Sequence, residues 1–561
     1  TVNSASLDNR QGTLTSDASL TARIAANMLN QAGLVSAGTD LQVNVADLNN
    51  SLNGRIAAEQ VQISAQGIDN RAGGSLYAKH QLGVDVGGQL NNAQGTLRSD
   101  ARLTINAGGL TNDDATLSSA GELKIATGNL SNQGGELRSA TQLGMTVTAL
   151  DNSRNGHVSS QADVSLDMQG GHLNNNGGLI NAPGQLLLKQ LGSVDNQGGE
   201  ISSAHAFELA ATALNTADGK LLSQQALTLR IAQALDNTRG LISAAALQVS
   251  SASLDNQGGK LSAASGLNLS VEGALDNRMG ELLGQQVAVN AAALNNRQGR
   301  IQGDNRLTLS SLGAVDNGKG TLAAGQALTV TVASLDNSAG KLTSDGTLTA
   351  QISAGLLNQA GLFAADQALT LNAASLDNQA NGRVTSKAGA QLEVGRLDNR
   401  GGRITSVGQL QVKGDELDNR QAGLLNSGEA MNLSIGKVDN RGGEVSSVTE
   451  LTMTGRELDN SNAGRVLANS TLQLTLDRLN NQLKGLVSAQ QDVSLKAMRL
   501  DNSAQGSLYA KRNLNVTLAG HADNSQGVMR SDAALQLRSA SLGNNGGRIS
   551  SGGALLLSAA N

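Results

Sequence analysis

The chain has 561 residues, with 41 Lys and Arg against 46 Asp and Glu, so its net charge is −5 with both signs interspersed. It lacks the basic clusters that serve nucleic acids or membrane surfaces, and no apolar run approaches the roughly 18 residues of a membrane span; neither a nucleic-acid partner nor stable membrane insertion is expected. There is no cysteine and no tryptophan, one proline (Pro183) and 68 glycines, which excludes a disulfide framework and thiolate-ligated metals.

The first recognisable element is the step Leu7-Asp8-Asn9, followed by Gly12. The Asn slot recurs at Asn30, Asn50 and Asn70, continues through Asn237, Asn256 and Asn277, then through Asn378, Asn399, Asn419, Asn440 and Asn460, and ends at Asn544. There are twenty-seven copies, all but one followed by glycine three or four residues later, and the mean spacing is about 20.6 residues. Only Thr216 breaks the Asn column, and only the coil with Ala115 lacks the glycine. A period this strict, without a helix-length gap, predicts a solenoid running over 1–561 as one array. The absence of polar end caps is expected of an internal segment of a longer protein.

Alternation sets the fold class. In the stretch from Leu369 to Leu392, the apolar slots Leu369, Leu371, Leu376, Val384 and Leu392 alternate with polar residues and are joined by Gly-containing corners. Period-2 segments of three to five residues predict strands, three short ones per coil, in an all-β parallel β-helix of about 27 coils. At a strand spacing of about 4.8 Å, the array would be about 130 Å long. Leucine-rich repeats share the period but not the order, because here the Leu-x-Leu pair precedes the Leu-Asp-Asn step. Alternation points the leucine of that step inward, the Asp outward and the Asn inward. A column of inward amides is expected to hydrogen-bond along the axis, and Gly12 with its equivalents is expected to take the positive φ of the corner.

Along the chain, Tyr77 and Lys79 lie outward in the hexapeptide Gly-Ser-Leu-Tyr-Ala-Lys, which returns with Tyr509 and Lys511 and implies duplication of a longer block. These are candidate partner contacts. The 23-residue step from Asn152 to Asn175 and the Pro183 coil are the largest departures from the repeat. Phe207 and Phe363 fall in inward slots. Of the histidines, His80, His157 and His205 occupy different slots; His172 and His521 share one but lie 17 coils apart, so no pair can share a metal or relay a proton. The outward slot before Asn holds Asp377, Asp398, Asp418, Asp439 and Asp459 in successive coils. Stacked carboxylates repel. Either they cap turn N–H groups with help from Arg400, Arg420 and Arg441, or they form a line of weak Ca²⁺ sites. No other cofactor is expected. β-Helical enzymes need a cleft built by long loops; coil lengths here leave no room for one, so no enzymatic activity is expected.

The repeated phrase, seen as LDNRGGRITS from Leu397, VDNRGGEVSS from Val438, LDNQGGKLSA from Leu254 and LSNQGGELRS from Leu130, resembles the repeats of filamentous haemagglutinin-like exoproteins. These include adhesins and contact-dependent growth inhibition effectors of Gram-negative bacteria, secreted by the two-partner route. The resemblance covers essentially the whole chain. It implies a right-handed β-helix stalk at the outer cell surface, exported through an outer-membrane barrel transporter. It also implies that a target-cell receptor is bound by distal regions absent here. A rod whose own side binds glycans or a surface receptor is the alternative.

Overall fold

The structure is a computed structural model that describes residues 1–560. The described residues form 61 β-strands and no helix, and the strand pairings are parallel. The chain divides into two units, Thr1–Gly284 and Gln285–Asn561, each a stack of β-solenoid coils. The two together account for about 27 turns.

In the second unit, the strand Leu369–Asp377 pairs with Ala390–Asp398, which pairs with Leu410–Asp418, which pairs with Met431–Asp439. Register follows the repeat: Leu376, Leu397, Leu417 and Val438 are successive partners, and so are Asp377, Asp398, Asp418 and Asp439. A second strand per coil, such as Arg383–Ser386 or Arg403–Ser406, stacks the same way. In the first unit, Gln142–Asp151 and His157–Ser160 play the corresponding parts.

Leu369, Leu371, Leu376, Val384 and Leu392 are buried, and each contributes roughly 1.5–3 kcal/mol against leaving it exposed. Phe207 and Phe363 lie in the same core. Because each coil covers the aliphatic residues of its neighbours, the core is a narrow axial column in each unit rather than a central cluster.

The expected three strands per coil appear only where a corner interrupts the backbone pairing, as in Leu451–Thr454, Glu457–Asp459 and Arg465–Ala468. In most other coils the first two merge into one strand of nine to eleven residues, and in Ser75–Asn91, Glu281–Asn295 and Arg300–Asp316 all three run on as a single strand. The corner between them consists of small residues such as Ala374-Ser375, and several coils turn it with a register shift, as between Ile231 and Ala234. Small side chains let the coils stay hydrogen-bonded around the bend. The 23-residue step absorbs its extra residues at this corner, in Met168-Gln169-Gly170-Gly171, with Gln169 at φ 53° and Gly170 at φ 86°.

Candidate functional site: an amide ladder and its charged edge

The inward Asn column forms a hydrogen-bonded ladder. In the first unit, Asn9 Nδ2 donates to Asn30 Oδ1, Asn30 to Asn50, and Asn50 to Asn70, each at 2.7 Å; Asn237 donates to Asn256 and Asn256 to Asn277 at the same distance. In the second unit, Asn378, Asn399, Asn419 and Asn440 pass the bond to Asn460 at 2.7–2.8 Å. All the amides point the same way, oxygen toward the preceding coil and nitrogen toward the next, so each bond polarises the one after it. The second Nδ2 hydrogen goes to corner carbonyls, for example from Asn399 to Leu424 O at 3.2 Å. These amides are fully buried apart from Asn9 in the first coil and Asn544 in the last, and burying them is tolerable because their polar atoms are partnered, with Asn237 Oδ1 the exception.

The glycines after Asn serve this ladder differently from the expected positive φ. The left-handed residue is the one two places after Asn: Gln11 at 54°, Ala32 at 52°, Arg239 at 54°. When the corner is one residue longer, two residues take it, as Leu52 and Asn53 do. The glycine that follows is constrained by space. A Cβ on Gly259 would lie 2.7 Å from Asn256 Oδ1 and 2.9 Å from Asn237 Nδ2, and nearer still to the Asn237 carbonyl oxygen. Glycine stands there because the amide of its own coil and the backbone of the preceding one press against its Cα.

The Asp slot before Asn points outward and closes the corner. Asp398 Oδ1 accepts from Arg400 N at 3.2 Å, and Asp377 Oδ1 accepts from Gln379 N at 3.1 Å. The stacked carboxylates are separated by guanidinium groups. Arg400 meets Asp398 at 2.7 Å and Asp418 at 3.5 Å; Arg420 meets Asp418 at 2.6 Å and Asp439 at 3.4 Å; Arg441 meets Asp439 at 2.7 Å and Asp459 at 3.7 Å. Asp377 instead receives Gln359 Nε2 at 2.7 Å. Burial pushes the Asp418 carboxyl up, but the hydrogen bonds from Arg420 and the charges of Arg420 and Arg400 outweigh it and hold the group below its ordinary value. At Asp8, where solvent is open, the Arg10 side chain and backbone bonds bring the carboxyl down to about 2. Among the described residues, no three His, Asp or Glu side chains are grouped to hold a metal ion.

A second polar column was not assigned a role from the sequence. The serine that ends each phrase is buried in many coils, among them Ser139, Ser406 and Ser447. Ser447 Oγ donates to Glu429 O of the preceding coil at 2.6 Å and accepts from Thr449 N at 3.2 Å. The signal was present, since Ser closes phrase after phrase, but its donor and acceptor become visible only when the corner is built.

The histidines stay apart. His172 and His521 each place Nδ1 2.8 Å from a serine Oγ one coil on, Ser193 and Ser541. Shallow grooves follow the small-residue corner, past Gly87, Ala107 and Gly108 in the first unit and Ala333, Ile352 and Ala373 in the second. They have no aromatic lining and no converging carboxylates.

A ladder that every coil renews, with its glycine and its alternating core, is the signature of a repeat family, and comparison with known families names it. The haemagglutinin repeat matches the chain in eleven stretches that overlap except between 278 and 283, beginning with residues 1–72, 40–82 and 77–144, and ending with 405–504 and 499–559. The chain belongs to the haemagglutinin repeat family. No curated protein and no solved structure matches it. Haemagglutinin repeats build filamentous, adhesin-type stalks, their proteins are typically secreted surface adhesins, and the repeat is a structural one rather than a known enzyme family.

Proposed function

We propose that this segment is the extracellular stalk of a large exoprotein of a Gram-negative bacterium, passed through an outer-membrane barrel transporter by the two-partner route. In that role it holds a distal adhesive or toxin-delivery region away from the producing surface, and the distal region meets the target-cell receptor. Its work is mechanical, and no chemistry is performed on the stalk. The observation that carries this reading is the uniformity of the coils: the same amide ladder, glycine and aliphatic slots recur with no loop long enough to build a cleft. Each coil adds about 4.8 Å of reach.

The contacts are compatible with folding in order of emergence. Each strand pairs with its equivalent in the next coil, so an emerging coil docks on a finished one.

Coil-block deletions and exchanges in the full exoprotein, displayed on its own cells, test the proposal. Removing whole coils should shorten reach in proportion, measured by the distance of an antibody-labelled tip from the membrane. Exchanging one block of coils for another of equal length should leave target-cell engagement unchanged. Loss of engagement on a length-preserving exchange with normal surface display would overturn the spacer role.

A further inference from the structure

The two tyrosines of the chain occupy duplicated sites whose resemblance is confined to one face. Residues 68–104 and 500–536 align without a gap, at a constant offset of 432. On the face that carries the tyrosines, Ser75, Tyr77, Lys79, Arg98 and Asp100 reappear as Ser507, Tyr509, Lys511, Arg530 and Asp532. Thr96 and His80 on that side become Val528 and Arg512. Outward residues of the neighbouring strand have drifted much further: Gly83, Asp85, Gln89 and Asn91 become Asn515, Thr517, His521 and Asp523. Core slots are held by packing whatever the function, but packing places no such demand on outward positions. Retention on one face and drift on the next point to a use for that face.

The geometry is duplicated with the residues. Tyr77 Oη donates to Asp100 Oδ2 at 2.6 Å, and Tyr509 Oη donates to Asp532 Oδ2 at 2.7 Å. Arg98 and Arg530 hold the same carboxylates at 2.9 Å. Each tyrosine is in register with its arginine one coil on, and the Arg530 guanidinium lies 5.8 Å from the Tyr509 ring centroid. The ring is thus fixed in place, and the carboxylate is occupied by the phenol and the guanidinium. At the Tyr509 patch the positive charge left over is Lys511 with Arg512 beside it, and neither forms an ion pair among the described residues. At the Tyr77 patch Lys79 is paired with Glu59 at 3.3 Å on an exposed edge, where a ligand carboxylate would compete with Glu59. Around each tyrosine–arginine pair the same outward slot holds Ala57 before Tyr77 and Ser118 after Arg98 at one site, and Ser488 before Tyr509 and Ser550 after Arg530 at the other. Each site is one aromatic platform with a cation beside it on an otherwise small and polar strip. That is far less than the roughly 800 Å² a protein partner occupies, but it matches a pyranose ring bearing a carboxylate. Tyrosine offers such a ligand a rigid apolar face with a polar edge.

We infer that the Tyr509 patch and its duplicate at Tyr77 are binding subsites for carboxylated oligosaccharides, each laying a sugar ring on the tyrosine and the carboxylate against the lysine. This does not depend on the stalk reading, which the coil-block deletions and exchanges test in the full exoprotein.

The chain contains two tyrosines and no tryptophan, so its intrinsic fluorescence reports on these two patches alone. The purified chain is titrated with oligogalacturonate and with oligosialate, with maltohexaose as the uncharged control. The expected result is a saturable fluorescence change with at least one acidic oligosaccharide and none with maltohexaose. Tyr77→Ser and Tyr509→Ser should each halve its amplitude; serine already occupies this slot at Ser118 and Ser488, so both variants should fold. Lys511→Ala, which keeps both fluorophores, should weaken binding at the Tyr509 patch about tenfold. The inference is overturned by no saturable change with either acidic ligand, by an equal response to maltohexaose, or by a Lys511→Ala titration that matches the wild type.

Discussion

Thr216 and Asn237 are successive ladder positions of the first unit that exchange no hydrogen bond. Asn196 Nδ2 reaches Thr216 Oγ1 at 3.1 Å, but Asn237 Oδ1, one coil further on, is buried with no partner. A threonine hydroxyl on its short stem does not span the coil spacing as an amide does. Leaving a buried acceptor unsatisfied costs about 1–3 kcal/mol. Thr216→Asn should therefore restore the rung and stabilise the surrounding coils by about 1 kcal/mol or more. Because a solenoid opens locally, the measurement is hydrogen exchange of peptides spanning 214–240, where protection should rise roughly fivefold for each kcal/mol gained. Unchanged or faster exchange there would mean that Asn237 Oδ1 has found water instead.

The Ala115 coil shows what a Cβ does at the glycine position. Asn70 reaches Gly74 O at 3.0 Å and Thr96 O at 3.4 Å besides its axial bond. Asn92, whose next coil carries Ala115, keeps the axial bond at 2.8 Å but reaches neither of the corresponding carbonyls. Ala115→Gly should accordingly be neutral or stabilising, although alanine-to-glycine changes within strands ordinarily cost about 0.5–1 kcal/mol. The reverse change at a regular coil, Gly259→Ala, should cost about 1–3 kcal/mol through overpacking. Urea denaturation of both variants decides it: if Ala115→Gly is the more harmful of the two, close approach to the amide is not what fixes the glycine.

Much of this was legible in the residues, and the boundary has physical causes. The period of the Asn slot and the alternation around Leu376 and Leu397 specify a parallel coil, because a one-residue slip would turn every leucine outward. The step Leu-Asp-Asn likewise specifies which of its residues faces the axis. Sterics inside the corner were not legible. Glycine fits both a left-handed turn and a crowded Cα, and only the built corner assigns φ to Gln11 and crowding to Gly12. The merging of two strands into Leu369–Asp377 depends on small corner residues keeping their backbone pairing, which alternation does not reveal. The reach of Arg400 to a carboxylate of the next coil depends on rotamers that a repeat pattern leaves free.

Asn399 tests the ladder as a titratable element. It accepts from Asn378 at 2.8 Å and donates to Asn419 Oδ1 at 2.8 Å and to Leu424 O at 3.2 Å. In Asn399→Asp, one carboxylate oxygen keeps the bond from Asn378, and the other faces two acceptors in a buried site. Burial and the two facing acceptors raise the folded-state pKa above the ordinary value of about 3.9, more than the single bond from Asn378 lowers it. A raised carboxyl pKa means that the variant is penalised when ionised, so the deficit is complete above the folded pKa. It shrinks as pH falls toward the unfolded value, where the protonated acid can again donate to Asn419. The loss should be about 3 kcal/mol or more at pH 7 and much smaller near pH 4. Thermal unfolding of wild type and variant at the two pH values reads the difference, and an equal deficit at both would mean that the carboxylate is solvated and the ladder is not closed to water.

The Arg420 guanidinium bridges two coils on the outer edge, and its contribution should have the opposite pH dependence. It holds Asp418 at 2.6 Å and reaches Asp439 at 3.4 Å, and it helps to keep the Asp418 carboxyl below its ordinary value. A depressed carboxyl pKa supplies stability that is fully present above the unfolded value of about 4 and is lost as pH falls through the lower folded value. Arg420→Gln removes that contribution and also leaves two stacked carboxylates facing each other. The groups are partly exposed, so screening limits the effect to about 0.5–1 kcal/mol at pH 7 and low salt. It should fade in molar salt and nearly vanish at a pH below the folded value of Asp418, where the wild-type carboxyl is itself protonated. Chemical denaturation in urea, which leaves ionic strength under control, measures the deficit at each pH and salt concentration. A deficit that persists undiminished in both acid and high salt would assign Arg420 a packing role, through its aliphatic stem against the corner, in place of the electrostatic one.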